Sequence, residues 1–408
     1  MAMATDAPTD SRAWQQARDA LRLLSEQVLV LVPAGVRAPL GQFTADLNEV
    51  FWHGRPARIA VLGRPGAGKS ALIAAMQAVP RDEPPAHNEW IELAAPRGRL
   101  TVLEARLPGR ARQGARDPLP RQLGDALDAQ APDILLYCVA AEPDSRPTEK
   151  DREALAAAAA RVAATHGETV ARMGVLTHAD VFDTGGWADA PMDSTEVRGR
   201  VDARALDVAG RLAQAKPGGA IAVEPVALAP DVLAAGATPW GVPELVEALV
   251  ESLPRPAQLE LARVAQVRGV QRQLAKSLGR TAASLAAGIA ATPIPLADLP
   301  VLTALQTAMV IVIGYVSGRR FSVSTLAEFL GAMGLNTGVG FAARTLSRQV
   351  AKLMPFAGSA ASAAVAYGTT VGLAQAAIAY FIEGQPLGEA RRVFDEERAK
   401  AEEDAPVD

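Results

Sequence analysis

A glycine-rich stretch near residue 63 has the residue types and spacing that bind phosphate. It reads Gly63, Arg64, Pro65, Gly66, Ala67, Gly68, Lys69, Ser70 and Ala71, and it contains the pattern G-x-x-x-x-G-K-S. Glycines let backbone N–H groups close around phosphate oxygens, a lysine at this spacing reaches the β- and γ-phosphates, and the next hydroxyl coordinates Mg²⁺. The stretch therefore predicts a nucleotide-binding loop in which Lys69 is the catalytic cation and Ser70 the metal ligand.

The residues on either side predict the elements that such a loop needs. Residues 59–62 form a short apolar run typical of a buried strand, and helix-forming residues follow Lys69. A helix that begins at Lys69 points its positive end at the bound anion. An ordinary glycine turn requires neither element, so strand, loop and helix in this order favour the phosphate-binding interpretation.

Composition limits the other classes of function. The chain has 408 residues, enough for two or three domains, and its net charge of −4 comes without a concentrated basic stripe, which argues against nucleic acid as a partner. The single cysteine, Cys138, lies in an apolar run and is predicted to be a core residue. With one cysteine and four histidines, a zinc site is not expected. The first residues show no secretion signal, so we expect a cytoplasmic protein.

From about residue 55, predicted strands and helices alternate, which indicates an α/β sheet. Besides the strand before the loop, strands are predicted over residues 89–93, 100–104, 134–139, 173–176 and 221–226. Residues 96–98, Pro-Arg-Gly, separate the first two of these and predict an antiparallel hairpin. A helix over residues 243–253 is predicted to close the domain, with Pro254 and Pro256 marking its exit.

Four segments are predicted along the chain. Residues 1–54 are a helical lead-in, and residues 55–256 are the nucleotide-binding domain. Residues 257–394 are an alanine-rich helical domain, and residues 395–408 are an acidic tail.

The stretch Thr177-His178-Ala179-Asp180 follows the strand predicted over residues 173–176. In GTPases this place holds N-K-x-D or a variant such as T-H-x-D, whose Asp accepts two hydrogen bonds from guanine that adenine cannot offer. Thr177, His178 and Asp180 are therefore candidate base-binding residues. The alternative is an ordinary strand-end turn, which also suits an Asp. Ala227 and Leu228 stand where a backbone N–H would meet guanine O6, but their pattern carries little specificity.

The metal-binding side departs from the usual GTPase pattern. GTPases usually carry D-x-x-G after the third strand, and here the matching residues read Arg-Leu-Pro-Gly from Arg106. Glu104 is the nearest carboxylate and a candidate catalytic residue, although a solvent-facing strand residue is an equal alternative. Residues 71–100 contain no threonine, so the switch threonine is missing or replaced. We expect GTP hydrolysis to be slow or dependent on a partner.

Several stretches of the C-terminal part carry a family resemblance. They are residues 292–300 (Thr-Pro-Ile-Pro-Leu-Ala-Asp-Leu-Pro), 305–309, 314–315, 353–359 and 367–370. They resemble a bacterial domain of unknown function known from YcjF-type proteins. Behind an Era-like P-loop GTPase domain, this arrangement is similar to bacterial GTPases thought to act at membranes. The resemblance covers roughly residues 55–390 and implies a Ras-like α/β domain with one antiparallel hairpin, an all-α C-terminal domain, and GTP and Mg²⁺ as ligands.

Two uncharged runs raise the question of a membrane. Residues 299–317 and 355–382 are long enough to cross a bilayer, and Arg280, Arg319 and Arg320 flank the predicted hairpin that contains the first of them. We expect this part to bind the inner face of the cell membrane. The alternative is a soluble bundle that binds a protein partner. Asp298 and Gln306 are predicted to be a polar pair at an interface or in the membrane, and the alternative is that Asp298 is an N-cap in a proline-rich turn.

Three functions are consistent with these residues. The first is a GTP-binding protein with slow or partner-dependent hydrolysis at the cytoplasmic face of the membrane. The second is a nucleotide-binding scaffold that does not hydrolyse, and the third is an ATPase. The sequence identifies no pathway, partner or oligomeric state.

Overall fold

The glycine-rich loop lies between a buried strand and a helix. In the computed structural model, the described residues are 37–39, 41–42, 45, 56–77, 88–95, 98–107, 119–182, 194–213, 222–228, 239–291, 298–319, 322–334 and 360–404. Most of the predicted lead-in over residues 1–54 lies outside these ranges, as do residues 405–408. Residues 37–39, 41–42 and 45, which are described, are helical and lie within the predicted lead-in.

Strands and helices alternate through the first part of the chain. The strands are β1 (Ala57–Gly63), β2 (Trp90–Ala95), β3 (Gly98–Arg106), β4 (Ile134–Ala140), β5 (Ala171–Thr177) and β6 (Val223–Pro225). The helices are α1 (Lys69–Gln77), α2 (Arg121–Ala129), α3 (Glu149–His166), α4 (Thr195–Ala213), α5 (Val242–Ser252) and α6 (Arg255–Ala265). A short 3₁₀ helix, Ala179–Phe182, follows β5.

These strands form one six-stranded sheet in the order β2-β3-β1-β4-β5-β6. β2 and β3 are antiparallel, and all the other neighbouring strands are parallel. Parallel neighbours need crossover helices on the faces of the sheet, which explains why β4 is apolar and buried at every position. The expected fold class, a Ras-like α/β sheet with one antiparallel hairpin, is confirmed.

Helices α2, α3 and α4 share one core cluster with the sheet, and Leu62 and Tyr137 are among its buried strand residues. Helix α6 packs against the sheet at β1 and β3, and its Leu261 and Ala262 are fully buried. The predicted domain boundary after residue 256 therefore falls inside α6, which packs against the sheet. The first compact unit runs over Arg55–Val267.

The second compact unit is helical, as expected. Its helices are α7 (Arg268–Ala290), α8 (Asp298–Val316), α9 (Val323–Ala332), α10 (Ala360–Ala377), which continues as a π-helix (Ile378–Ile382), and α11 (Leu387–Glu403). The predicted boundary before residue 395 lies within α11, so residues 395–403 continue a helix.

Helix α10 is at the centre of the helical unit, since it packs against α7, α8 and α11. A Cβ at Gly372 would lie 2.7 Å from the carbonyl oxygen of Phe394, so glycine permits α11 to approach this closely. Gln306 Nε2 donates to Thr370 Oγ1 at 3.0 Å, and both side chains are buried. Gln306 therefore joins α8 to α10.

One helix among the described residues, Ala361–Ile382, is long and apolar enough to cross a membrane, judged by length and composition only. Within the bundle, 67% of its most apolar window is buried. A second apolar helix, Val301–Val316, is shorter. Core helices of soluble proteins share these properties, so the helix by itself is weak evidence for a membrane span.

Candidate functional site

The glycine-rich loop forms an open cradle between β1 and α1. Gly66 and Gly68 have φ angles of 79° and 70°, in the left-handed region that favours glycine. At Gly68 a Cβ would also lie 3.0 Å from the Cβ of Thr177, so a side chain there would crowd β5. The Leu72 N–H donates to the Gly68 carbonyl at 2.9 Å, which starts the helical turn beneath the loop. Pro65 and Ala71 are exposed on either side of the cradle.

Lys69 is buried inside this cradle, with 4% of its surface exposed. Its Nζ donates to the carbonyl oxygen of Arg64, a loop residue, at 2.8 Å. Burial lowers the pKa of Lys69, and the neighbouring Cys138 and Glu104 oppose this shift. A cation that the protein has already removed from water attracts an anion more strongly than a solvated cation does. Lys69 is thus placed to bind a phosphate that enters the loop.

Ser70 and Glu104 meet at the first turn of α1. The Ser70 hydroxyl lies 3.0 Å and 3.1 Å from the two carboxylate oxygens of Glu104. Only 2% of Glu104 is exposed, so the solvent-facing interpretation of this residue is wrong. The structure puts it there because β3 pairs with β1 and sets Glu104 opposite Val61, beside the loop. Arg106, which stands where the usual acidic residue would be, is exposed.

The oxygens of Ser70 and Glu104 fit a magnesium ion. Mg²⁺ prefers hard oxygen ligands and is usually held by one or two protein groups, with waters and substrate phosphates completing the shell. Among the described residues there is no group of three or more His, Cys, Asp or Glu that could form an all-protein cage. A hydroxyl and a carboxylate beside a phosphate-binding lysine are the donor set that a nucleotide-bound Mg²⁺ requires.

Cys138 lies beneath the loop as the core residue that the sequence predicts. It is a free cysteine with 1% of its surface exposed. Burial raises the pKa of the Cys138 thiol to about 12, so the thiol is neutral. It therefore contributes packing rather than chemistry.

Thr177 supports the loop instead of contacting a base. Its side chain is fully buried, and its Oγ1 lies 3.1 Å from the carbonyl oxygen of Ala67 and 3.3 Å from that of Val139. The hydroxyl therefore ties the end of β5 to the loop and to β4. The prediction that Thr177 reads the base needs this correction, because a side chain without exposed surface cannot meet a ligand.

His178 and Asp180 lie at the edge of the sheet where β5 ends. His178 has a φ of 57°, a left-handed conformation that turns the chain into the 3₁₀ helix carrying Asp180. The Ala179 N–H donates to the Val226 carbonyl at 3.1 Å, which joins this turn to the segment after β6. Both Asp180 and His178 are partly exposed, so they remain accessible to a ligand.

Ala227 does not fit the role predicted for it. Its N–H donates to the carbonyl oxygen of Trp240 at 3.0 Å, and the residue is fully buried. An amide already paired inside the protein is not available to guanine O6. Leu228, the other candidate, is partly exposed and remains the amide to test.

Arg64 has partners that the sequence did not indicate. Its guanidinium is paired with Asp151, which is buried, and its Nη2 also donates to the Thr148 hydroxyl at 2.8 Å. The spacing Thr148-x-x-Asp151 signals the start of a helix, here α3, but says nothing about Arg64. Arg64 and Asp151 are 87 residues apart, and only the folded sheet brings them together.

No family model matches the chain, and no curated protein does either. Two solved structures of Toc33 from Arabidopsis thaliana are similar in part. The complex with Mg²⁺ and GMPPNP is 19% identical, covers 55% of this chain and 94% of that chain, and has a TM-score of 0.33. The complex with GDP and Mg²⁺ is 17% identical, covers 62% and 96%, and has a TM-score of 0.32. The Era-like and YcjF-type resemblances stay predictions.

Proposed function

We propose that the chain is a GTP-binding protein with slow or partner-dependent hydrolysis that acts at the cytoplasmic face of the membrane. The observation that carries the nucleotide part is the contact of Ser70 with the buried Glu104, directly beside the buried Lys69. A metal-ligand pair and a phosphate-binding cation meet at the first turn of a helix. No ordinary glycine turn requires that combination.

Each residue of the loop has a distinct role in this proposal. The loop amides and Lys69 bind and orient the phosphates, and the N-terminus of α1 adds its positive dipole. Ser70 and Glu104 hold Mg²⁺, which neutralises charge on the β- and γ-phosphates when bound. Asp180 gives the preference for guanine through two hydrogen bonds that adenine cannot form.

Slow hydrolysis is proposed because two parts of a fast GTPase are absent from the sequence. Residues 71–100 contain no threonine to contact the γ-phosphate, and the exposed Arg106 stands in the usual acidic place. Both features also suit a scaffold that binds nucleotide without hydrolysing it. A single-turnover hydrolysis assay separates these two functions.

Replacing Glu104 tests the proposed metal site. We expect Glu104→Gln to weaken Mg²⁺-dependent GTP binding by about tenfold, because the neutral amide no longer attracts the cation or orients Ser70. Binding in the presence of a chelator should change little, since Lys69 and the loop amides remain. Isothermal titration with and without Mg²⁺ measures both values.

Glu92→Gln is the matched control, because Glu92 lies on the adjacent β2 strand, is half exposed, and pairs with Arg99 instead of the loop. The control should bind GTP as the wild type does. Equal Mg²⁺ dependence in Glu104→Gln and wild type would remove Glu104 from the metal site.

The membrane part of the proposal is supported by the charge distribution of the helical unit. Residues 355–382 contain no charged residue, and Arg280 and Arg319 flank an apolar run with a single Asp. The competing function is a soluble bundle for a protein partner. It is favoured by the burial of Ala361–Ile382 and by the hydrogen bond from Gln306 to Thr370.

Fractionation of cells decides between the two. We expect the full chain to sediment with membranes and a chain truncated after Val267, the end of the first compact unit, to stay soluble. A carbonate wash then distinguishes insertion from surface attachment. A full chain that stays in the soluble fraction would leave the soluble bundle as the function of the helical unit.

A further inference from the structure

Several hydrogen-bond donors converge on one carboxylate behind the phosphate-binding loop. Asp151, in the first turn of α3, has only 3% of its surface exposed. Its donors are Arg64 Nε at 3.2 Å, Arg64 Nη2, the Thr148 N–H at 2.8 Å and the Thr148 hydroxyl at 2.7 Å. Charge-assisted hydrogen bonds of this kind, with a two-pronged guanidinium contact, fix geometry as well as adding energy.

Arg64 connects this carboxylate to the lysine of the loop. Its side chain is hydrogen-bonded to residues at the start of α3. Its carbonyl oxygen accepts hydrogen bonds from the Lys69 ammonium at 2.8 Å and from the Ala67 N–H at 3.2 Å. Pro65 follows directly and disfavours a helical backbone at Arg64. The chain of contacts therefore runs from α3 through Asp151 and Arg64 to Lys69.

We propose that Asp151 is a positioning residue for the phosphate-binding loop and acts on Lys69 through Arg64. The inference rests on the proposed nucleotide binding and deepens it. With both ends of Arg64 fixed, the loop is held open before the nucleotide arrives, so little ordering cost remains on binding. Without Asp151, Arg64 and its carbonyl group, which holds Lys69, are free to move. Nucleotide binding must then order them, which makes the free energy of binding less favourable.

The opposite end of α3 provides a second ion pair of the same geometry away from the loop, with a more exposed carboxylate. Arg161 Nε donates to Asp128 Oδ1 at 2.8 Å and Arg161 Nη2 to Asp128 Oδ2 at 2.5 Å, which joins α3 to α2. The two pairs share the same two-pronged geometry and the same helix. Only the Arg64–Asp151 pair touches the phosphate-binding loop, so loss of the other pair reports a purely structural effect.

The experiment measures the affinity and dissociation rate of a nucleoside triphosphate with Mg²⁺ in the full chain, well below its melting temperature. The triphosphate is whichever of GTP and ATP the wild type binds more tightly, so an error in base preference does not affect the result. The variants are Arg64→Met, Asp151→Asn, the double variant and Asp128→Asn. Arg64→Met leaves Asp151 the two hydrogen bonds from Thr148, so this variant keeps a hydrogen-bonded carboxylate if Asp151→Asn fails to fold.

We expect Arg64→Met and Asp151→Asn each to weaken binding by about tenfold, mainly through faster dissociation, and the double variant to lose no more than either one. Asp128→Asn should lower the melting temperature but leave the affinity unchanged. Additive losses, an unchanged affinity in Asp151→Asn, or an equal loss in Asp128→Asn would overturn the proposal. If only Arg64→Met weakens binding, Arg64 contacts the ligand itself and Asp151 has no positioning role. A wild-type chain that binds neither triphosphate instead refutes the proposed function itself.

Discussion

Replacing Lys69 with alanine is expected to weaken GTP binding by at least about a hundredfold. The lysine is the buried cation of the loop, and its Nζ is within hydrogen-bond reach of the loop's own backbone. Two charge-assisted hydrogen bonds to phosphate, at about 1.5–3 kcal/mol each, would be lost together. Because tenfold in affinity is about 1.4 kcal/mol, a loss of about 3 kcal/mol or more corresponds to binding that is at least about a hundredfold weaker. Isothermal titration of the full chain with GTP and Mg²⁺ measures the change.

Two further variants make this result interpretable. Lys69→Met keeps most of the buried side-chain volume, so it separates loss of charge from loss of packing and should bind as weakly as Lys69→Ala. Lys150→Ala removes an exposed lysine from the first turn of α3 and should bind GTP normally. If Lys69→Met retains the affinity of the wild type, the loop does not bind phosphate in the way its sequence predicts.

The second large effect concerns the base. We expect Asp180→Asn to reduce GTP affinity by about a hundredfold and to improve binding of xanthosine triphosphate. The carboxylate accepts hydrogen bonds from the guanine N1–H and amine, whereas an amide can donate to the carbonyl that xanthine carries instead. Because Asp180 is partly exposed on a short turn, the substitution should not disturb the fold.

Competition between the two triphosphates, in wild type and variant, measures this exchange. Asp202→Asn, which changes an exposed aspartate on α4, is the control and should keep the preference of the wild type. If the variant loses affinity for GTP without gaining affinity for xanthosine triphosphate, Asp180 has another role. In that case the ordinary strand-end turn, the alternative interpretation of residues 177–180, would stand.

The local parts of the site could be predicted from the sequence, because they depend on neighbours along the chain. The order of strand, glycines, Lys69 and Ser70 defines a loop whose conformation follows from a few adjacent residues. The antiparallel hairpin was predictable for the same reason, since a Pro-Arg-Gly turn separates two apolar runs. These features did not require knowledge of any distant contact.

The non-local parts could not be predicted, because they depend on which strands pair. Glu104 was equally consistent with a solvent-facing residue until the pairing of β3 with β1 placed it beside Ser70. Thr177 belongs to a recognisable motif, but its burial against Ala67 depends on the neighbouring strands. The Ala227 N–H is not available to a ligand because it pairs with Trp240 in an isolated β-bridge, and no local sequence pattern predicts this bridge.

The domain boundary shows how one residue type can have two meanings. Pro254 and Pro256 follow the helix α5, and proline commonly ends a helix. Proline is equally suited to the first turn of a helix, where its missing N–H costs nothing, and α6 begins in this way. Hydropathy has a similar limit in the helical unit, because an apolar helix such as Ala361–Ile382 suits lipid and a protein core alike.

The most direct test of the central claim is titration of the full wild-type chain with GTP and with ATP, each with Mg²⁺ and with a chelator. The arrangement of Lys69, Ser70, Glu104 and Asp180 predicts that GTP binds, that Mg²⁺ strengthens its binding, and that ATP binds at least about a hundredfold more weakly. Equal binding of the two nucleotides, a preference for ATP, or no binding of either would contradict the assignment of a guanine-nucleotide site.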